Sequence, residues 1–143
     1  MNYFDTSALI KRFVEEPGSE HVESLIDAEP TVATSMVAYA EVQAGLARKL
    51  RERTLSSAGH RRTVRAFDVD WRAFLRVGVT DALLALIRDL VRRHPLRAFD
   101  AIHLASAVHL QTELGEGVRF IAADPRLLTA AARERLGTFD VGR

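Results

Sequence analysis

Short apolar runs alternate along this chain with longer stretches of helical periodicity, and this alternation predicts its secondary structure. Five runs have the length and composition of strands: residues 2–4, 31–34, 76–79, 118–122 and 138–141. Strands that are separated by helices are typical of a parallel sheet with helices on both faces. The pattern therefore predicts an α/β fold around a mostly parallel central sheet.

Capping residues and prolines mark the ends of the predicted helices. The first two helices are predicted over residues 7–15 and 19–28, and a long third helix is capped by Ser35 and runs through residue 53. The fourth helix is capped by Ser56 or Ser57, and the fifth covers residues 81–93 with Thr80 as its cap. The sixth helix runs from residue 99 or 100 through residue 111, and the last begins at Pro125. Proline suits the first turn of that last helix because its missing N–H needs no partner there. No repeat or linker interrupts the pattern, so residues 1–143 are expected to form a single domain.

Three aspartates occupy equivalent places in this arrangement. Asp5 comes directly after strand 2–4, and Asp124 follows strand 118–122. Asp100 lies at the front of a helix. In an open parallel sheet, ligands bind in the crevice beyond the carboxyl ends of the strands. We therefore expect the three carboxylates to share one crevice, although most of the chain separates them.

Glu41 lies in the middle of the long third helix, and its neighbours bear on its role. Small or compact side chains surround it at helical spacing: Val37, Ala38, Ala44 and Gly45. Small residues around an acid allow another backbone or a ligand to approach closely. That face resembles the wall of a site more than a solvated charged stripe.

Each acid also has a purely structural interpretation. Each of the three aspartates could be a helix N-cap, which is worth about 1 kcal/mol. Glu41 could be a surface partner of Arg48 or Arg51. Convergence of four acids on one edge of the sheet favours a functional cluster over four separate structural roles.

A cluster of carboxylates requires compensation of its charge. Two like charges about 4 Å apart repel by roughly 4 kcal/mol at an effective dielectric constant near 20, so pKa values rise or a cation enters. The chain contains no cysteine and no histidine pair at zinc spacing, so the ligands on offer are oxygens. Oxygen ligands favour Mg²⁺ or Mn²⁺, and such ions support phosphodiester hydrolysis.

Length, composition and charge agree with a small enzyme of this kind. The chain has 143 residues, of which 48% are hydrophobic, which is enough for one core without disulfides. The absence of cysteine, of an export signal and of an apolar run of about 18 residues predicts a cytoplasmic protein that does not enter membranes. The net charge is only +1. Lys11 and Lys49 are the only lysines, so the other basic residues that carry a full positive charge are arginines. The planar guanidinium group of arginine suits the binding of phosphate, which slightly favours a partner that carries phosphate groups.

Four segments, in this order and spacing, resemble the PIN-domain ribonucleases, and especially the VapC-type toxins of type II toxin-antitoxin pairs. They are YFDTSALIKRF, SMVAYAEVQAGL, LRAFDAIHLASAV and FIAADPRLLTAA. The resemblance implies a three-layer α/β/α sandwich and an endoribonuclease that depends on Mg²⁺ or Mn²⁺. It also implies inhibition by a small cognate antitoxin and assembly into a homodimer.

The resemblance also assigns roles to the acids. The catalytic and metal-binding acids of the family match Asp5, Glu41, Asp100 and Asp124. Asp124 departs from the family pattern, because Pro125 stands between it and the arginine-leucine pair that follows. In the family, the fourth acid varies in position and role.

Four further residues lie beside these acids. Thr6 matches the hydroxyl that commonly follows the first acid in the family, or it caps the first helix. Arg97 and Arg126 stand next to acids, where they can hold substrate phosphates or form surface ion pairs. His103, three residues after Asp100, is interpreted as a packing residue rather than a metal ligand.

The run HRRTVR, residues 60–65, has two interpretations. It resembles a basic patch, but Val64 and Phe67 at helical spacing favour an amphipathic helix with a solvated basic face. Trp71 and Phe74 could stack on bases, although core or dimer packing is the commoner role of such aromatic residues.

Two other functional classes compete with the nuclease. A haloacid dehalogenase-type phosphatase needs a second aspartate two positions after the first, and Ser7 occupies that position. A catalytically weak PIN-like domain that binds RNA or protein is the remaining alternative. The acids alone do not distinguish RNA from DNA, and the expected preference for RNA comes from the family resemblance.

Overall fold

Five short strands form one fully parallel sheet in the computed structural model, which describes residues 1–142. In chain order they are β1 (Asn2–Phe4), β2 (Val32–Ser35), β3 (Leu75–Val77), β4 (Arg119–Ala122) and β5 (Gly137–Asp140). Their order across the sheet is β3-β2-β1-β4-β5. Because β1 lies at the centre, the residue that follows it sits in the middle of the carboxyl edge of the sheet.

Helices cover both faces of this sheet. They are α1 (Thr6–Leu9), α2 (Ser19–Ala28), α3 (Ala38–Arg51), α4 (Ser57–Trp71), α5 (Asp81–Arg93), α6 (Ala98–Leu114) and α7 (Pro125–Arg133). Apolar residues of α1 to α4 belong to one core, and those of α5 to α7 belong to the other. The predicted three-layer α/β/α sandwich is confirmed.

The alternation of side chains along β1 explains the two cores. Tyr3 and Phe4 are both fully buried, and successive residues of a strand point to opposite faces. Tyr3 lies in the core under α5 to α7 and stacks on Phe120 with ring centroids 5.5 Å apart. Phe4 lies in the other core with Leu9 and Val42. Strands that are covered on both faces therefore read as nearly continuous apolar runs.

Several helix ends agree with the predicted caps. The side chains of Ser56 and Thr80 accept hydrogen bonds from the backbone N–H groups of Gly59 and Leu83. The last helix begins at Pro125, as predicted. These ends depend on residues within one turn of the cap, which explains why the local pattern was sufficient.

The predicted cap at Ser35 is wrong. Ser35 is the last residue of β2 and is fully buried, and α3 begins at Ala38 behind Val37. Ser35 Oγ instead accepts a hydrogen bond of 3.2 Å from the backbone N–H of Val37. Pairing with Val77 in the neighbouring strand holds Ser35 in the sheet. Long-range strand pairing has overridden the local capping preference.

The first helix is shorter than predicted. α1 ends at Leu9 and tightens into a 3-10 turn over Ile10–Arg12, so residues 13–15 are not helical. The Lys11 side chain is buried, and its Nζ donates to the Pro17 carbonyl oxygen at 2.8 Å. This contact draws the following loop back against the 3-10 turn.

The basic run and the aromatic residues also have clear places. Residues 60–65 lie within α4, as the amphipathic-helix interpretation predicted. Trp71 and Phe74 are buried in the core under α1 to α4, so their role is packing. In the part of the chain that the structure describes, no helix is both long and apolar enough to cross a bilayer.

Candidate active site

Asp5 stands at the carboxyl end of the central strand and is buried. Its backbone N–H continues the sheet by donating to the Ile121 carbonyl oxygen at 3.1 Å. One carboxylate oxygen, Oδ1, accepts from Ser7 Oγ at 2.7 Å and from the backbone N–H of Ala8 at 3.1 Å. Asp5 is therefore the N-cap of α1, but Oδ2 accepts no hydrogen bond from residues 1–142. One oxygen caps the helix and the other remains free for a ligand.

Ser7 joins the first acid to the neighbouring strand. Its Oγ donates to Asp5 and accepts from the backbone N–H of Ala123 at 3.0 Å. Ala123 directly follows β4 and precedes Asp124. The hydroxyl therefore ties the ends of β1 and β4 together and fixes the orientation of the Asp5 carboxylate.

Asp100 lies in the first turn of α6 and is half-buried. It is not the cap of that helix, because Arg97 occupies the cap position and makes no side-chain capping bond. Within the described residues, the Asp100 carboxylate accepts no side-chain hydrogen bond and forms no ion pair. A half-buried carboxylate with no partner is the feature that a cation would compensate.

Burial raises the pKa values of both aspartates. Burial raises the pKa of Asp5 to about 6, although the charge of His103 and the bond from Ser7 lower it, and the charge of Asp100 raises it further. Burial also raises the pKa of Asp100, and the negative charge of Asp124 adds to that rise. The two acids therefore lie in an environment that disfavours their bare ionised forms.

A cleft of about 320 Å³ is lined by two of the predicted aspartates and by both predicted arginines. Asp100, Asp124, Arg97 and Arg126 line it, together with His94 and apolar residues of α5 to α7. Asp124 is the N-cap of α7, since its Oδ1 accepts from the backbone N–H of Arg126 at 2.9 Å. This cleft places two acids and two arginines around a space that a phosphate group can enter.

Glu41 is held by a buried network rather than by surface arginines. Its Oε1 accepts from Thr6 Oγ1 and from His103 Nε2, both at 2.7 Å. The Nδ1 atom of the same buried ring shares a hydrogen bond of 2.9 Å with the Tyr3 hydroxyl. Because an ionised carboxylate only accepts, the Nε2 atom of His103 carries the hydrogen of its bond to Glu41. The alternative pairing of Glu41 with Arg48 or Arg51 does not occur.

The pKa of Glu41 shifts in the opposite direction to those of the aspartates. Burial raises it, but the hydrogen bonds from His103 and Thr6 and the charge of His103 outweigh burial, so the pKa falls below its ordinary value. Glu41 is therefore ionised and oriented across the neutral pH range.

The four acids offer carboxylate oxygens, which are the ligands that a hard divalent cation such as Mg²⁺ prefers. Within residues 1–142, Asp100 has a carboxylate without a partner, and Asp5, Glu41 and Asp124 each have one carboxylate oxygen that accepts no side-chain or capping hydrogen bond. Among residues 1–142, however, no three such side chains already lie close enough to share an ion. Binding of one ion by three of them would therefore require movement of these side chains.

Sequence reasoning missed two residues that contact the acids. His103 was interpreted as a packing residue, and it is indeed buried, but it also holds Glu41. Its spacing of three residues from Asp100 was the available signal, since residues i and i+3 share a helix face. Ser7 was considered as the residue that stands where a phosphatase would need its second aspartate and not as a contact of the acid, although a hydroxyl two residues after Asp5 is close enough in sequence to donate to its carboxylate.

Comparison with known protein families places this geometry in a class. The model of the PIN domain matches residues 3–133, which is most of the chain. The chain therefore belongs to the PIN-domain family.

Within that family it is similar to proteins named VapC ribonucleases. Ribonuclease VapC45 of Mycobacterium tuberculosis strain CDC 1551 / Oshkosh is 33% identical over 136 residues, which cover 95% of this chain and 86% of the relative. Ribonuclease VapC49 of strain ATCC 25618 / H37Rv matches with the same identity and coverage.

Solved structures agree with the fold. FitAcB from Neisseria gonorrhoeae has a TM-score of 0.70 at 16% identity, covering 100% of this chain and 99% of that one. A toxin-antitoxin complex from Klebsiella pneumoniae has a TM-score of 0.68 at 16% identity, covering 99% and 98%. VapC20 of Mycobacterium tuberculosis, described as a sarcin-ricin loop cleaving toxin, has a TM-score of 0.65 at 19% identity, covering 91% and 95%.

Proposed function

We propose that this protein is a metal-dependent endoribonuclease that acts as the toxin of a toxin-antitoxin pair. One observation carries the proposal: Asp5 and Asp100, at the carboxyl edge of the sheet, are buried or half-buried carboxylates whose pKa values are raised by burial and by the negative charge of neighbouring acids. Membership of the PIN-domain family and 33% identity to VapC ribonucleases support the choice of RNA as substrate.

Asp5, Glu41 and Asp100, with Asp124, are the residues that would hold Mg²⁺ or Mn²⁺. When bound, such an ion supplies activation of water, polarisation of the phosphodiester and stabilisation of the leaving oxygen. The expected products carry a 5′ phosphate and a 3′ hydroxyl, because this chemistry does not use the RNA 2′ hydroxyl as nucleophile.

The chain's own side chains orient these ligands. Ser7 and the Ala8 N–H fix one oxygen of Asp5, and Thr6 and His103 fix one oxygen of Glu41. Outer partners of this kind orient metal ligands and raise their affinity for the ion. The ligands are thus constrained before any ion binds.

Arg97 and Arg126 are proposed to bind the substrate phosphate. Both are exposed and both line the cleft that contains Asp100 and Asp124. A guanidinium group can donate two parallel hydrogen bonds to a phosphate, which fixes its orientation as well as its position. Binding of the phosphate beside the acids would align it for attack by water.

Membership of the PIN-domain family also supports two proposed protein partners, an antitoxin and a second copy of this chain. A small antitoxin protein is the proposed inhibitor, supported by the fold shared with the toxin-antitoxin complex of Klebsiella pneumoniae. A homodimer in the cytoplasm is the proposed working form. Light scattering that returns a single species of 15.9 kDa would contradict the dimer.

A second candidate is a catalytically weak PIN-like domain that binds RNA or protein. The observation that favours it is that no three acidic or histidine side chains within residues 1–142 are gathered around a common point. In this case the acidic edge would serve as a docking site for a positively charged group of a partner.

Cleavage of RNA distinguishes the two candidates. Purified protein without antitoxin, the Asp5→Asn variant and an Asp27→Asn control are each incubated with total bacterial RNA in EDTA, Mg²⁺ or Mn²⁺. Asp27 is exposed on α2, so the control removes a carboxylate without touching the site. We expect discrete, metal-dependent cleavage with 5′ phosphate ends by the wild type and the control only.

Two other results would change the assignment. Binding of RNA without cleavage by the metal-loaded wild type would favour the non-catalytic candidate. Equal cleavage by the Asp5→Asn variant would mean that Asp5 serves only as the cap of α1, and that the reaction takes place elsewhere.

A further inference from the structure

Positive charge is concentrated in one segment of this chain. Residues 48–76 contain nine arginine or lysine residues and three acidic ones, a net charge of +6 in a chain whose total is +1. The remaining residues therefore carry a net charge of −5. The segment comprises the end of α3, all of α4 and most of β3.

The arginines of this segment are not neutralised within the protein. Eight of them are exposed and form no ion pair with any residue in the range 1–142: Arg48, Arg51, Arg53, Arg61, Arg62, Arg65, Arg72 and Arg76. The lysine of the segment differs, because Lys49 pairs with Glu16. The acid Asp70 pairs with Arg12, outside the segment, and Asp68 accepts from the Tyr39 hydroxyl.

Three of these arginines form a stripe along α4. Arg61, Arg65 and Arg72 are separated by four and seven residues, so they share one face of a helix with 3.6 residues per turn. Phe67 and Trp71 are buried on another face of the same helix. From Arg61 to Arg72 the stripe extends about 16 Å. We call these three residues the arginine stripe.

The hairpin of α3 and α4 joins this stripe to the proposed active site. Glu41 lies in the first turns of α3, and the Tyr39 hydroxyl in the same turn donates to Asp68 of α4 at 3.0 Å. From Glu41 to Arg51 the helix axis rises about 15 Å. A strand of RNA several nucleotides long would therefore reach from the acids to the arginines of the hairpin.

We propose that the exposed arginines of the α3–α4 hairpin bind the phosphate backbone of the RNA substrate outside the active site. This proposal rests on the proposed ribonuclease function. An acidic site repels a polyanion at a distance, and a neighbouring basic surface offsets that repulsion and guides the strand. The exclusive use of arginine among the unpaired cations fits phosphate, because its planar fork donates two bonds at once.

A protein partner fits this surface less well. Stable protein interfaces depend on apolar and aromatic anchors that are buried at their centre. Beside the arginine stripe, the only large apolar side chain of α4 in the described residues that is strongly exposed is Val69, at 65%. The stripe thus offers charge with little apolar area, which is typical of contacts to a nucleic-acid backbone.

The test measures RNA binding without cleavage. Wild type, an Arg61→Ala/Arg65→Ala/Arg72→Ala variant and a control, Arg88→Ala/Arg92→Ala/Arg133→Ala, are titrated into a fluorescent single-stranded RNA of about 20 nucleotides in EDTA at several salt concentrations. The control removes three exposed arginines of α5 and α7, so both variants lose the same charge. Circular dichroism and thermal unfolding verify that both variants are folded.

We expect the stripe variant to bind at least tenfold more weakly and to lose about two units of the slope of log K against log salt, since each phosphate contact contributes about 0.7. The control is expected to keep most of the wild-type slope. In Mg²⁺, the stripe variant should show a raised KM for cleavage of the RNA of about 20 nucleotides. Its rate of cleavage of an RNA of about four nucleotides should be unchanged, because so short a strand does not reach the arginine stripe.

Two results would overturn the proposal. An equal loss of affinity in both triple variants would mean that only net charge matters. Wild-type affinity in the stripe variant would leave the surface free for another partner, including a protein. Failure of the ribonuclease proposal is a separate outcome: no RNA would be cut in Mg²⁺, while binding in EDTA still depended on the stripe.

Discussion

His103 Nε2 lies 2.7 Å from Glu41 Oε1, and this bond joins α6 to α3 across 62 positions of the chain. The other ring nitrogen shares a hydrogen bond with the Tyr3 hydroxyl in the central strand. The imidazole is buried, so neither bond competes with bulk water. A proposed metal ligand is thus oriented by a histidine that is itself oriented by the core.

The first prediction concerns this histidine. We expect His103→Ala to lower kcat by 10- to 100-fold, because loss of a partner that orients a ligand typically has an effect of that size. His103→Gln should recover part of the loss, since its amide can still donate to Glu41. The comparison is made on one RNA with kcat and KM determined separately.

Tyr3→Phe is the matched control. It removes the hydroxyl that orients the ring but leaves the bond from His103 to Glu41. We expect a smaller loss of kcat than in His103→Ala. A His103→Ala variant that is folded and has the wild-type kcat would show that the histidine only fills space.

The second prediction is a pH dependence of stability that Asp5 causes in the absence of metal. Burial raises its pKa from the ordinary value of 3.8 to about 6 in the folded protein. Between these values the folded state holds a proton that the unfolded state has released, so the free energy of unfolding falls as pH rises. The expected fall over the whole titration, from about pH 3 to about pH 7, is about 3 kcal/mol, with no further change from this group above that range.

Urea unfolding of the wild type and of Asp5→Asn in EDTA measures this effect. The asparagine does not titrate and keeps an oxygen for the bonds from Ser7 and Ala8. The variant should therefore be more stable than the wild type at pH 7 and should lack this part of the pH dependence. Parallel pH profiles of the two proteins would show that the Asp5 carboxylate is not strained by burial.

The third prediction concerns the metal. Mg²⁺ or Mn²⁺ at about 100 times its dissociation constant should stabilise the wild type by about 2.7 kcal/mol. Asp5→Asn and Asp100→Asn should gain much less, because each removes a carboxylate with a free oxygen. Thermal shifts across a metal titration give the comparison without RNA, and an equal shift in all three proteins would place the ion elsewhere.

The fourth prediction concerns Glu134, which supports the wall of the cleft. Its carboxylate contacts Arg93 and the buried His94, both at 2.7 Å. Burial raises the pKa of Glu134, but the bonds and charges of Arg93 and His94 outweigh it and lower the pKa below the ordinary value. The stabilisation is therefore present above about pH 4.5 and is lost as pH falls through the lower folded pKa.

Glu134→Gln should lower the free energy of unfolding at pH 7 by about 1–3 kcal/mol, since it weakens two charge-assisted bonds. Arg93→Ala should cost less, because the Arg93 side chain is about half exposed and the bond to His94 remains. Chemical unfolding of the two variants tests the order. A larger loss in Arg93→Ala would contradict it.

The fifth prediction compares two glycines with positive φ. Gly18 has φ of 95°, and a Cβ built there would collide with the backbone oxygen of Val141. Gly115 has φ of 64° and open space around it. Gly115→Ala should therefore cost about 1 kcal/mol, from conformation alone, whereas Gly18→Ala should cost clearly more. Equal melting temperatures would show that the loop around Gly18 can move aside.

The sequence by itself determined the class of fold, most of the secondary structure and the position of Asp5 at the carboxyl edge of the sheet. Each of these depends on interactions between near neighbours: the alternation of Tyr3 and Phe4 about the sheet, the caps at Ser56 and Thr80, and the place of Asp5 after a strand. A parallel sheet then brings the ends of its strands to one edge, whatever the length of chain between them.

Only the tertiary structure decided which partner each polar group takes. Ser35 could cap a helix, but strand pairing holds it in β2, and Glu41 binds His103 although arginines stand nearer in sequence. Within residues 1–142, the arginine stripe likewise forms no ion pair, although acidic residues of the same helix lie close to it in sequence. Such choices depend on which surfaces the two cores bring together, and local periodicity carries no information about contacts that span 62 residues.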